Sequence, residues 1–517
     1  MINIFIDDKP FKVKEGTTVL KAAEEAGIAI PHLCFHSAFP PEGSCRMCLV
    51  EIEGLPKLEL ACSTQVREGM KVSTRSEKVI EARKGVLEFL LAEHPPDCPI
   101  CDKAGECKLQ DYYEEYGLFD NRFSESKEKK QKNVKIGKSL ILDQERCILC
   151  TRCVRFLRDI TKTRELGVFN RGLHSEINTY NDVPVDNNYS GNLAEICPVG
   201  AITDSDFRFK TRNWFLKEGK SICPLCSRGC NIFIESHKGF ARFPVPKRVY
   251  RIKSRENHKV NGFWICDLGR YGYSYLDEER LDKICVNNGK GNLTWQECIV
   301  TLADEIKKLH SAKKASRIAL ILNFWLSNEE LFLIKKIFID DLSVKNIYFV
   351  GSSEGEADNF LLTSERCPNK RGAQEIGYDL KPLDSENLMN KTDILLIFGL
   401  PVSDPNNLAE IKALFENVKT KIYFSSHSDE LCSLADIVLP TALIPEKKGS
   451  LTNVDGIVQK FLQVLEAPGE CRPEWEVFVD LARELGININ YYKQLNTPEV
   501  VLKEMRKEIS FFENKSE

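Results

Sequence analysis

The sequence predicts several α+β domains followed by one α/β domain, and three observations support this fold class. The first residues alternate as two short strands and then take on helical spacing. Fifteen of the twenty cysteines lie between Cys34 and Cys266, in four groups. After residue 273, apolar runs of strand length alternate with helical segments, which predicts a parallel sheet covered by helices. A chain of 517 residues is long enough for several such domains.

The first predicted domain, residues 1–78, is a small sheet packed on one helix. INIFIDD and FKVKEG read as strands, TVLKAAEEAG as a helix that stops at Gly27, and LVEIEG as a later strand. Four cysteines follow the spacing C-x10-C-x2-C-x13-C: Cys34, Cys45, Cys48 and Cys62. The C-x2-C step is shared with plant-type ferredoxins, and four thiolates suit one [2Fe-2S] cluster, with zinc as the alternative.

Other polar groups of this loop are interpreted as neighbours of the metal site. Gly43 and Ser44 can bring backbone amides close to the cluster sulfides. His32 and His36 flank Cys34 and could serve zinc. Because four thiolates already fill a site, we interpret both histidines as outer neighbours or surface residues.

The second predicted domain, residues 79–120, begins with a helix in SEKVIEARKGVLEFLLAEH and continues into HPPDCPICDKAGECKLQ. His94, Cys98, Cys101 and Cys107 together offer one imidazole and three thiolates. Three cysteines without a fourth favour His94 as the missing ligand of a [4Fe-4S] cluster, although zinc also binds Cys₃His sites. An imidazole in place of a thiolate makes the cluster less negative and should raise its potential.

The third predicted domain, residues 138–212, contains ERCILCTRCVRF and the later segment NLAEICPVGAIT. A C-x2-C-x2-C loop with a distant Cys-Pro is the ferredoxin pattern for a [4Fe-4S] cluster. In two-cluster ferredoxins the Cys-Pro cysteine serves the other cluster, but this segment has only one such loop. Cys147, Cys150, Cys153 and Cys197 are therefore expected to bind the same cluster.

The fourth predicted domain, residues 216–272, contains SICPLCSRGCNI and GFWICDLGRYG. Cys223, Cys226, Cys230 and Cys266 form a further set of four thiolates suited to a [4Fe-4S] cluster. Cys285 and Cys298 are alternatives to Cys266, but they lie in strand-like or helical sequence.

The last predicted domain, residues 273–517, alternates strands such as RIALILNF, KNIYFV, DILLIFG, KIYFSS and DIVLP with helices. It contains no G-x-G-x-x-G and no G-x4-G-K-[ST] sequence, so no nucleotide-binding loop is predicted. Cys367, Cys432 and Cys471 have no partners at ligand spacing and are interpreted as core or surface thiols. A helix is expected in the charged tail after Leu502.

Composition narrows the possible classes of protein. The net charge of −4 argues against nucleic-acid binding, and the basic run Lys127 to Lys138 is interpreted as a solvated linker. The start of the chain lacks the features of a signal or transit peptide, and no apolar run reaches the ~18 residues of a membrane span. We therefore expect a cytoplasmic chain that meets a membrane only through partners. In a reducing compartment its cysteines are metal ligands or free thiols before they are disulfides.

The cysteine motifs resemble one family: the large iron–sulfur subunit, or 75 kDa subunit, of NADH-quinone oxidoreductase, respiratory complex I. The matching stretches are GSCRMCLVEIEG, HPPDCPICDKAGECKLQD, ERCILCTRCVRF, SGNLAEICPVGAIT and SICPLCSRGCNI. The resemblance implies a β-grasp [2Fe-2S] domain and three [4Fe-4S] clusters, one with His-Cys₃ ligation, on the four sets named above. It also implies that the fourth set binds an extra cluster, off the main electron path, found in many bacterial members.

Residues 273–517 resemble a shortened molybdopterin oxidoreductase domain, through LTWQECIVTLADEI, PNKRGAQEIGYD and ADIVLPTALIPEKKGSLTNVDGIVQ. Ile457 stands where an arginine is expected in the NxEGRxQ-like turn. No cysteine or serine lies in a convincing metal-ligand context. We therefore expect a domain without molybdenum cofactor.

The resemblance implies single-electron transfer from a flavin on an NADH-binding partner subunit toward the quinone-side iron–sulfur subunits of the same complex. No catalytic acid–base residue and no NADH site are expected on this chain, which would sit on the cytoplasmic face of the inner membrane as part of the complex. One alternative is an electron-transfer subunit of an NAD-linked hydrogenase or formate dehydrogenase. Another, from a different class, is a zinc-stabilised scaffold or nucleic-acid module.

Overall fold

The computed structural model describes residues 1–117, 122–237, 247–287, 293–351, 354–389, 391–399 and 405–513. It divides into two compact units, Met1–Leu216 and Lys217–Glu517. Within the described residues, no helix combines the length and the apolar character needed to span a bilayer.

The described part of the first unit contains short strands and five helices. The strands are β1 (Ile2–Ile6), β2 (Lys9–Val13), β3 (Leu49–Ile52), β4 (Glu59–Leu60), β5 (Lys71–Ser73), β6 (Val134–Lys135), β7 (Leu140–Leu142), β8 (Leu166–Phe169), β9 (Glu176–Thr179) and β10 (Ile202–Asp204). The helices are α1 (Val19–Glu25), α2 (Glu77–Glu93), α3 (Lys108–Tyr116), α4 (Arg152–Arg155) and α5 (Asn192–Ile196).

The amino-terminal sheet has the order β2-β1-β5-β3-β4, with β1 and β5 parallel and the other pairs antiparallel. Helix α1 begins after Thr18, whose side chain accepts a hydrogen bond from the Lys21 amide at 3.4 Å. It buries Val19 and Leu20 in the same core as Ile4 and Ile6. The predicted strands and helix are present, and the structure adds β4 and β5, which are too short to leave an alternating pattern in the sequence.

Helix α2 runs to the start of the second ligand set. Ser76 caps it by accepting a hydrogen bond from the Val79 amide at 3.4 Å, and it ends before His94 because Pro95 and Pro96 cannot continue a helix. Arg83 on this helix is buried, and its Nη2 donates to the Leu49 carbonyl at 3.0 Å. The helix is thereby joined to β3 of the preceding sheet.

A three-stranded antiparallel sheet, β10-β7-β6, and the hairpin β8–β9 frame the third ligand set. The run Lys127 to Lys138, expected to be a solvated linker, is only partly exposed. Lys127 Nζ donates to the Leu91 and Ala92 carbonyls at the end of α2, at 2.6 and 2.7 Å, and Val134 lies in β6. Lysines of this run bind carbonyl groups at a helix end and in a loop. The amino-acid composition of the run does not indicate such contacts.

The second unit contains the remaining strands and helices. The strands are β11 (Leu216–Ile222), β12 (Asn231–His237), β13 (Val249–Ser254), β14 (Cys285–Val286), β15 (Ile318–Asn323), β16 (Asn346–Val350), β17 (Ile394–Phe398), β18 (Thr420–Ser425), β19 (Ile437–Pro440), β20 (Gly449–Thr452) and β21 (Val458–Phe461). The helices are α6 (Asp267–Tyr271), α7 (Trp295–Ser311), α8 (Asn328–Ile334), α9 (Lys370–Ile376), α10 (Ser385–Leu388), α11 (Pro405–Asn417), α12 (Glu474–Leu485), α13 (Ile489–Gln494), α14 (Pro498–Glu508) and α15 (Ser510–Glu513).

The main sheet of the second unit has the order β14-β19-β18-β17-β15-β16. All its pairs are parallel except β14 with β19. Alternate residues of β15 enter opposite cores: Leu320 and Leu322 face one, Ala319 and Ile321 the other. The predicted βα alternation and parallel sheet are thus present, with an antiparallel edge strand that the sequence did not reveal.

A cavity of about 510 Å³ opens at the carboxyl ends of the parallel strands. Its lining includes Asn323 at the end of β15, Gly399 after β17 and Thr441 after β19. The chain leaves β15 toward β16 on one side and returns to β17 on the other, so the cavity lies at a topological switch point, where α/β sheets bind ligands.

Candidate metal centres

The first set of ligands lies in the loop between α1 and β3 and at the end of β4. All four cysteines of the set are buried. Cys45 donates a hydrogen bond to Cys34, which lowers the pKa of the Cys34 thiol to about 5 and raises that of Cys45. Cys48 and Cys62 form a second pair, in which the hydrogen bond lowers the pKa of Cys62 and raises that of Cys48. Charge interactions between Cys34 and Cys62 and between Cys45 and Cys48 link the two pairs into one group.

Backbone geometry turns the first loop around these thiols. Gly43 and Arg46 have φ of 70° and 60°, so the chain reverses twice near Cys45. Both the amide and the hydroxyl of Ser44 hydrogen-bond Cys34, and the Leu33 amide donates to Cys45 Sγ at 3.4 Å. The expected approach of the Ser44 amide to the sulfur atoms is therefore present.

His32 and His36 are half-buried neighbours of this set. Nδ1 of His32 lies 2.9 Å from the Ile30 carbonyl, and Nδ1 of His36 accepts a hydrogen bond from the Ala38 amide at 3.2 Å. Burial lowers the pKa of both histidines to about 4. Both rings are therefore neutral at physiological pH.

The second set surrounds the end of α2 and the start of α3. His94, Cys98 and Cys107 line a cavity of about 280 Å³. Cys101 interacts electrostatically with both Cys98 and Cys107. Burial, and next the positive charge of Arg146, lower the pKa of His94 to about 4. Nδ1 of His94 is buried without a hydrogen-bond partner, so a neutral, unsatisfied nitrogen is available to a metal.

The third set encloses one apolar pocket. Cys147, Cys150, Cys153 and Cys197 all line it. Leu149 and Thr151, the residues between the cysteines, have left-handed φ of 52° and 57°, which wraps the loop around the pocket. The Leu149 amide donates to Cys147 Sγ at 3.4 Å. Burial and then mutual repulsion raise the pKa of Cys147 to about 12, while burial and then the Cys197 charge raise the pKa of Cys150 to about 11.

The fourth set lies wholly in the second unit, and its four cysteines are buried. Cys223 and Cys230 both interact electrostatically with Cys226 and Cys266. Cys266 caps α6 by accepting a hydrogen bond from the Gly269 amide at 3.4 Å. A Cβ atom at Gly269 would lie 3.1 Å from Cys223 Sγ, so glycine lets this helix approach the sulfur atoms.

A hairpin of the second unit holds the fourth ligand loop in place. Gln459 Nε2 on β21 donates to the Gly229 carbonyl at 3.0 Å, and Asn453 Nδ2 donates to the Arg228 carbonyl at 3.2 Å. Arg228 also pairs with Asp455 at 2.6 Å. The turn that contains Ile457 therefore contacts the ligand loop directly.

Five cysteines lie outside the four sets, and two of them, Cys432 and Cys471, are half-buried. Cys285 is exposed in β14 and Cys298 is buried in α7, and neither is among the charges that act on the fourth set. Cys367 is buried and lies near enough to Cys226 for their charges to interact. Cysteine spacing contained no signal for this fifth thiol, because it is far along the chain and has no C-x2-C step.

Sequence reasoning also missed three buried arginines in the third ligand loop, namely Arg146, Arg152 and Arg155. Each lies within two residues of a cysteine in ERCILCTRCVRF, and that proximity is the signal that could have identified them. In the folded chain they reach the loops of the first and second sets.

The chemistry of the four sets fits iron–sulfur clusters. Burial raises the pKa of Cys147, Cys150 and Cys266, so the ionised form of these thiols is disfavoured until a cation is bound. A Cβ atom at Gly200, beside the Cys-Pro step, would lie 2.4 Å from Cys101 Sγ, so glycine is needed for the third loop to meet the second. Among the described residues, no group of three or more His, Cys, Asp or Glu side chains is positioned to hold a metal ion as it stands.

Five family models match successive parts of the chain. The 2Fe-2S iron-sulfur cluster binding domain matches residues 1–77, the NADH-ubiquinone oxidoreductase-G iron-sulfur binding region 83–122, and the NADH-quinone oxidoreductase subunit 3 ferredoxin-like domain 137–203. The Molybdopterin oxidoreductase Fe4S4 domain matches 216–278, and the Molybdopterin oxidoreductase family matches 350–484. These matches confirm the predicted fold class.

Similar proteins include the G subunit of NADH-quinone oxidoreductase from Rickettsia felis, which is 41% identical over 339 residues, covering 65% of this chain and 49% of that protein. The mitochondrial NADH dehydrogenase [ubiquinone] iron-sulfur protein 1 of Solanum tuberosum is 29% identical, covering 95% and 81%. A solved structure of an NAD⁺-reducing [NiFe]-hydrogenase in the H₂-reduced state is 32% identical, covering 41% of this chain and 90% of that one, with a TM-score of 0.36. The matched part of this chain spans about half the length of the Rickettsia relative.

A chain with 2Fe-2S and 4Fe-4S binding domains in front of a molybdopterin-oxidoreductase-like domain is a multicentre iron–sulfur protein. The relatives narrow this class further. The chain is similar to the large iron–sulfur subunit, or 75 kDa subunit, of NADH-quinone oxidoreductase. The resemblance stated from the motifs is thereby confirmed.

Proposed function

We propose that this chain is the electron-transfer iron–sulfur subunit of a complex I-type NADH-quinone oxidoreductase. Electrons from NADH would arrive through a flavin on a partner subunit and leave toward quinone-side iron–sulfur subunits. When bound, the clusters accept and donate single electrons. The chain's own residues hold the clusters, keep water away from them and set their potentials through charge and hydrogen bonds.

We assign one [2Fe-2S] cluster to the first set, a His-Cys₃ [4Fe-4S] cluster to the second, and [4Fe-4S] clusters to the third and fourth. The ligands of these sets are Cys34, Cys45, Cys48 and Cys62; His94, Cys98, Cys101 and Cys107; Cys147, Cys150, Cys153 and Cys197; and Cys223, Cys226, Cys230 and Cys266. The observation that best supports this assignment is that all four cysteines of the third set line one pocket. The unpartnered Nδ1 of His94 supports the mixed ligation of the second set.

The proposed partners rest on the relatives, which are named as subunits of NADH-quinone oxidoreductase. We propose that a flavin- and NADH-binding subunit delivers electrons to this chain, whose sequence contains neither G-x-G-x-x-G nor G-x4-G-K-[ST]. We propose that partner subunits also hold it on the cytoplasmic face of the inner membrane. The five predicted domains, 1–78, 79–120, 138–212, 216–272 and 273–517, remain our proposal for its organisation.

We also propose that residues 273–517 hold no molybdenum. The cavity at the switch point has no cysteine among its described lining residues. Its Lys447 instead pairs with Glu330 and Glu474, at 2.8 and 2.6 Å, which closes one wall with an internal ion pair. Metal analysis of the purified protein should therefore find iron without molybdenum, and molybdenum at one ion per chain would revive the formate dehydrogenase alternative.

Anaerobic purification followed by iron and acid-labile sulfide analysis tests the cluster content. We expect about 14 ions of each per chain from one two-iron and three four-iron clusters. Electron paramagnetic resonance (EPR) of the reduced protein should resolve a [2Fe-2S] signal beside [4Fe-4S] signals. Zinc without sulfide would refute the electron-transfer function and support a zinc scaffold.

A second experiment tests the electron path in the assembled complex with its partner subunits. Cys150→Ser should abolish NADH-driven quinone reduction, because the third set would lose a ligand. Cys230→Ser in the fourth set should leave most of the rate, and Cys285→Ser, which changes an exposed thiol in β14, should leave all of it. Equal loss in the Cys150 and Cys230 variants would contradict the proposed side position of the fourth cluster.

A further inference from the structure

We propose that Arg146, Arg152 and Arg155 of the third ligand loop bridge the ligand loops of the three clusters in the first unit and fix their spacing, and that Arg152 and Arg155 raise the potentials of the first and third clusters by placing positive charge between them. This inference rests on the proposed electron-transfer function. All three side chains are at most 7% exposed, and all three lie beside the cysteines that hold the third cluster.

Two of the arginines join the third set to the first. Arg152 Nη1 donates to the Ile196 carbonyl, next to Cys197, at 3.2 Å, while its Nη2 donates to the Phe35 carbonyl, next to Cys34. Each guanidinium nitrogen thus contacts a different ligand loop.

Arg155 makes the same kind of bridge. Its Nη2 donates both to the Cys150 carbonyl at 3.2 Å and to the Cys34 carbonyl, and its Nη1 donates to the Pro40 carbonyl at 3.1 Å. The guanidinium also lies 5.2 Å from the centre of the Phe39 ring. The planar guanidinium group has several hydrogen-bond donors in fixed directions, so one arginine can hold two loops in a defined geometry. The single ammonium group of a lysine cannot do this.

The third arginine joins the third set to the second. Arg146 precedes Cys147, and its Nη2 donates to Asp97 Oδ2 at 2.9 Å, while Asp97 precedes Cys98. Its Nε donates to Asp143 at 2.9 Å. Its charge also acts on Cys101 and His94. The same two loops meet again where Lys103 Nζ donates to the Ala194 carbonyl at 3.2 Å.

The charge balance points to an anionic occupant between these loops. In the described part of the chain no carboxylate forms an ion pair with Arg152, and the nearest to Arg155 is Glu42 at 4.0 Å. Burial lowers the pKa of Arg152, and the negative charges that oppose this and favour its cation are those of Cys150, Cys197 and Cys34 in their ionised form. A buried cation without a carboxylate is costly unless another anion compensates it, and thiolate-bound clusters supply that negative charge.

Two consequences follow for electron transfer. A cluster becomes more negative when it is reduced, so a fixed cation beside it favours the reduced state and raises its potential. Arg152 faces thiols of two different sets, so its removal should lower both potentials, whereas a purely structural residue would change neither without loss of iron.

The test uses Arg152→Gln and Arg152→Lys in the assembled complex, with Arg158→Gln as the matched control. Arg158 follows the same helical segment but is exposed and pairs with Asp159. EPR-monitored redox titration should show that Arg152→Gln makes reduction of both the first and the third cluster at least tenfold less favourable, a downward shift of about 59 mV for a one-electron couple. Arg158→Gln should shift neither.

The lysine variant separates charge from geometry. Arg152→Lys should keep both potentials near the wild-type values, because the positive charge remains. It should weaken the magnetic interaction between the two reduced clusters, because no guanidinium group holds the first and third ligand loops together. Iron and sulfide are measured first in every sample. If Arg152→Gln keeps its full sulfide content and its potentials are unchanged, or if the potential of only one cluster shifts, the bridging role alone is overturned. If the wild-type protein contains no sulfide, the proposed function and this inference are overturned together.

Discussion

His94 is the one nitrogen ligand proposed among fifteen thiols, and its position at the end of α2 fixes it beside Cys98 and Cys107. Replacing its neutral imidazole by a thiolate adds negative charge to the cluster. We therefore expect His94→Cys to keep iron and sulfide content but to lower the potential of the second cluster by on the order of 100 mV. EPR-monitored redox titration measures this shift.

His174→Cys is the control for the His94 variant, since the His174 side chain is 71% exposed and lies in none of the four sets. It should leave every potential unchanged. A second-cluster potential that does not fall in His94→Cys would remove His94 from the ligand set.

Glu329 shows how a buried carboxyl group makes the stability of the second unit depend on pH. It is 1% exposed, and both the amide and the hydroxyl of Ser450 donate to it at 2.8 Å. Burial raises its pKa from 4.5 to about 7. Its contribution to stability is therefore complete below pH 4.5 and is lost as pH rises through 7. Glu329→Gln removes this loss. Between pH 5 and pH 8, the unfolding free energy of the variant, measured with denaturant, should therefore rise by up to about 3 kcal/mol relative to that of the wild type.

Glu430→Gln provides the comparison, because the Glu430 side chain is 69% exposed. Its stability difference from wild type should stay constant across the same pH range. A constant difference for Glu329→Gln as well would mean that the buried carboxyl group does not titrate there.

At the scale of elements, the segment from α5 to β10 carries Cys197 and brings Gly200 against Cys101. A methyl group at Gly200 would lie 2.4 Å from Cys101 Sγ, which is closer than such contacts allow. We expect Gly200→Ala to displace this sulfur and to reduce the iron content of the second cluster. Iron and sulfide analysis, together with loss of the second cluster's EPR signal, measures the effect.

Gly85→Ala is the matched glycine variant. Gly85 lies inside α2 and a Cβ atom there would meet nothing within 4 Å, so alanine should stabilise the helix by about 0.5–1 kcal/mol and leave all clusters intact. If Gly200→Ala also retained every cluster, the close approach of the two loops would not be required for assembly.

The elements with a strong pattern could be predicted from the sequence, and those that depend on tertiary contacts could not. The strand at 318–323 and helix α2 were correctly predicted. The hydrophobic pattern of the sequence indicates both elements, and Ser76 marks the start of the helix. The two-residue strand β14 has no such pattern and is defined only by its partner β19. Cysteine spacing is also the basis of the four proposed ligand sets. It contained no information about Arg152 or Cys367, whose roles depend on loops distant in sequence.

At the scale of the whole molecule, each unit has a core of its own. Ile6 belongs to the core of the amino-terminal sheet, and Leu396 to that of the main sheet in the second unit; both are fully buried. We therefore expect two transitions in denaturant unfolding. Ile6→Ala should lower the midpoint of one and Leu396→Ala that of the other, each by about 2–5 kcal/mol of unfolding free energy.

Visible absorbance of the clusters identifies the transition of the first unit, and far-ultraviolet circular dichroism follows both. An iron chelator should lower the first midpoint most, because three of the four ligand sets lie in the first unit. A single transition shifted equally by both substitutions would show that the two cores unfold together.

The order of the ligands along the chain has a consequence for biosynthesis. A ribosome releases all four cysteines of the first set before it has made Arg152 or Arg155, whose guanidinium groups donate to the Phe35 and Cys34 carbonyls. Because nascent domains fold from the amino terminus onward, we expect this loop to stay open to incoming iron and sulfide until the later segment emerges. Translation would then set a window for loading the first centre, and the window would close when the third loop docks.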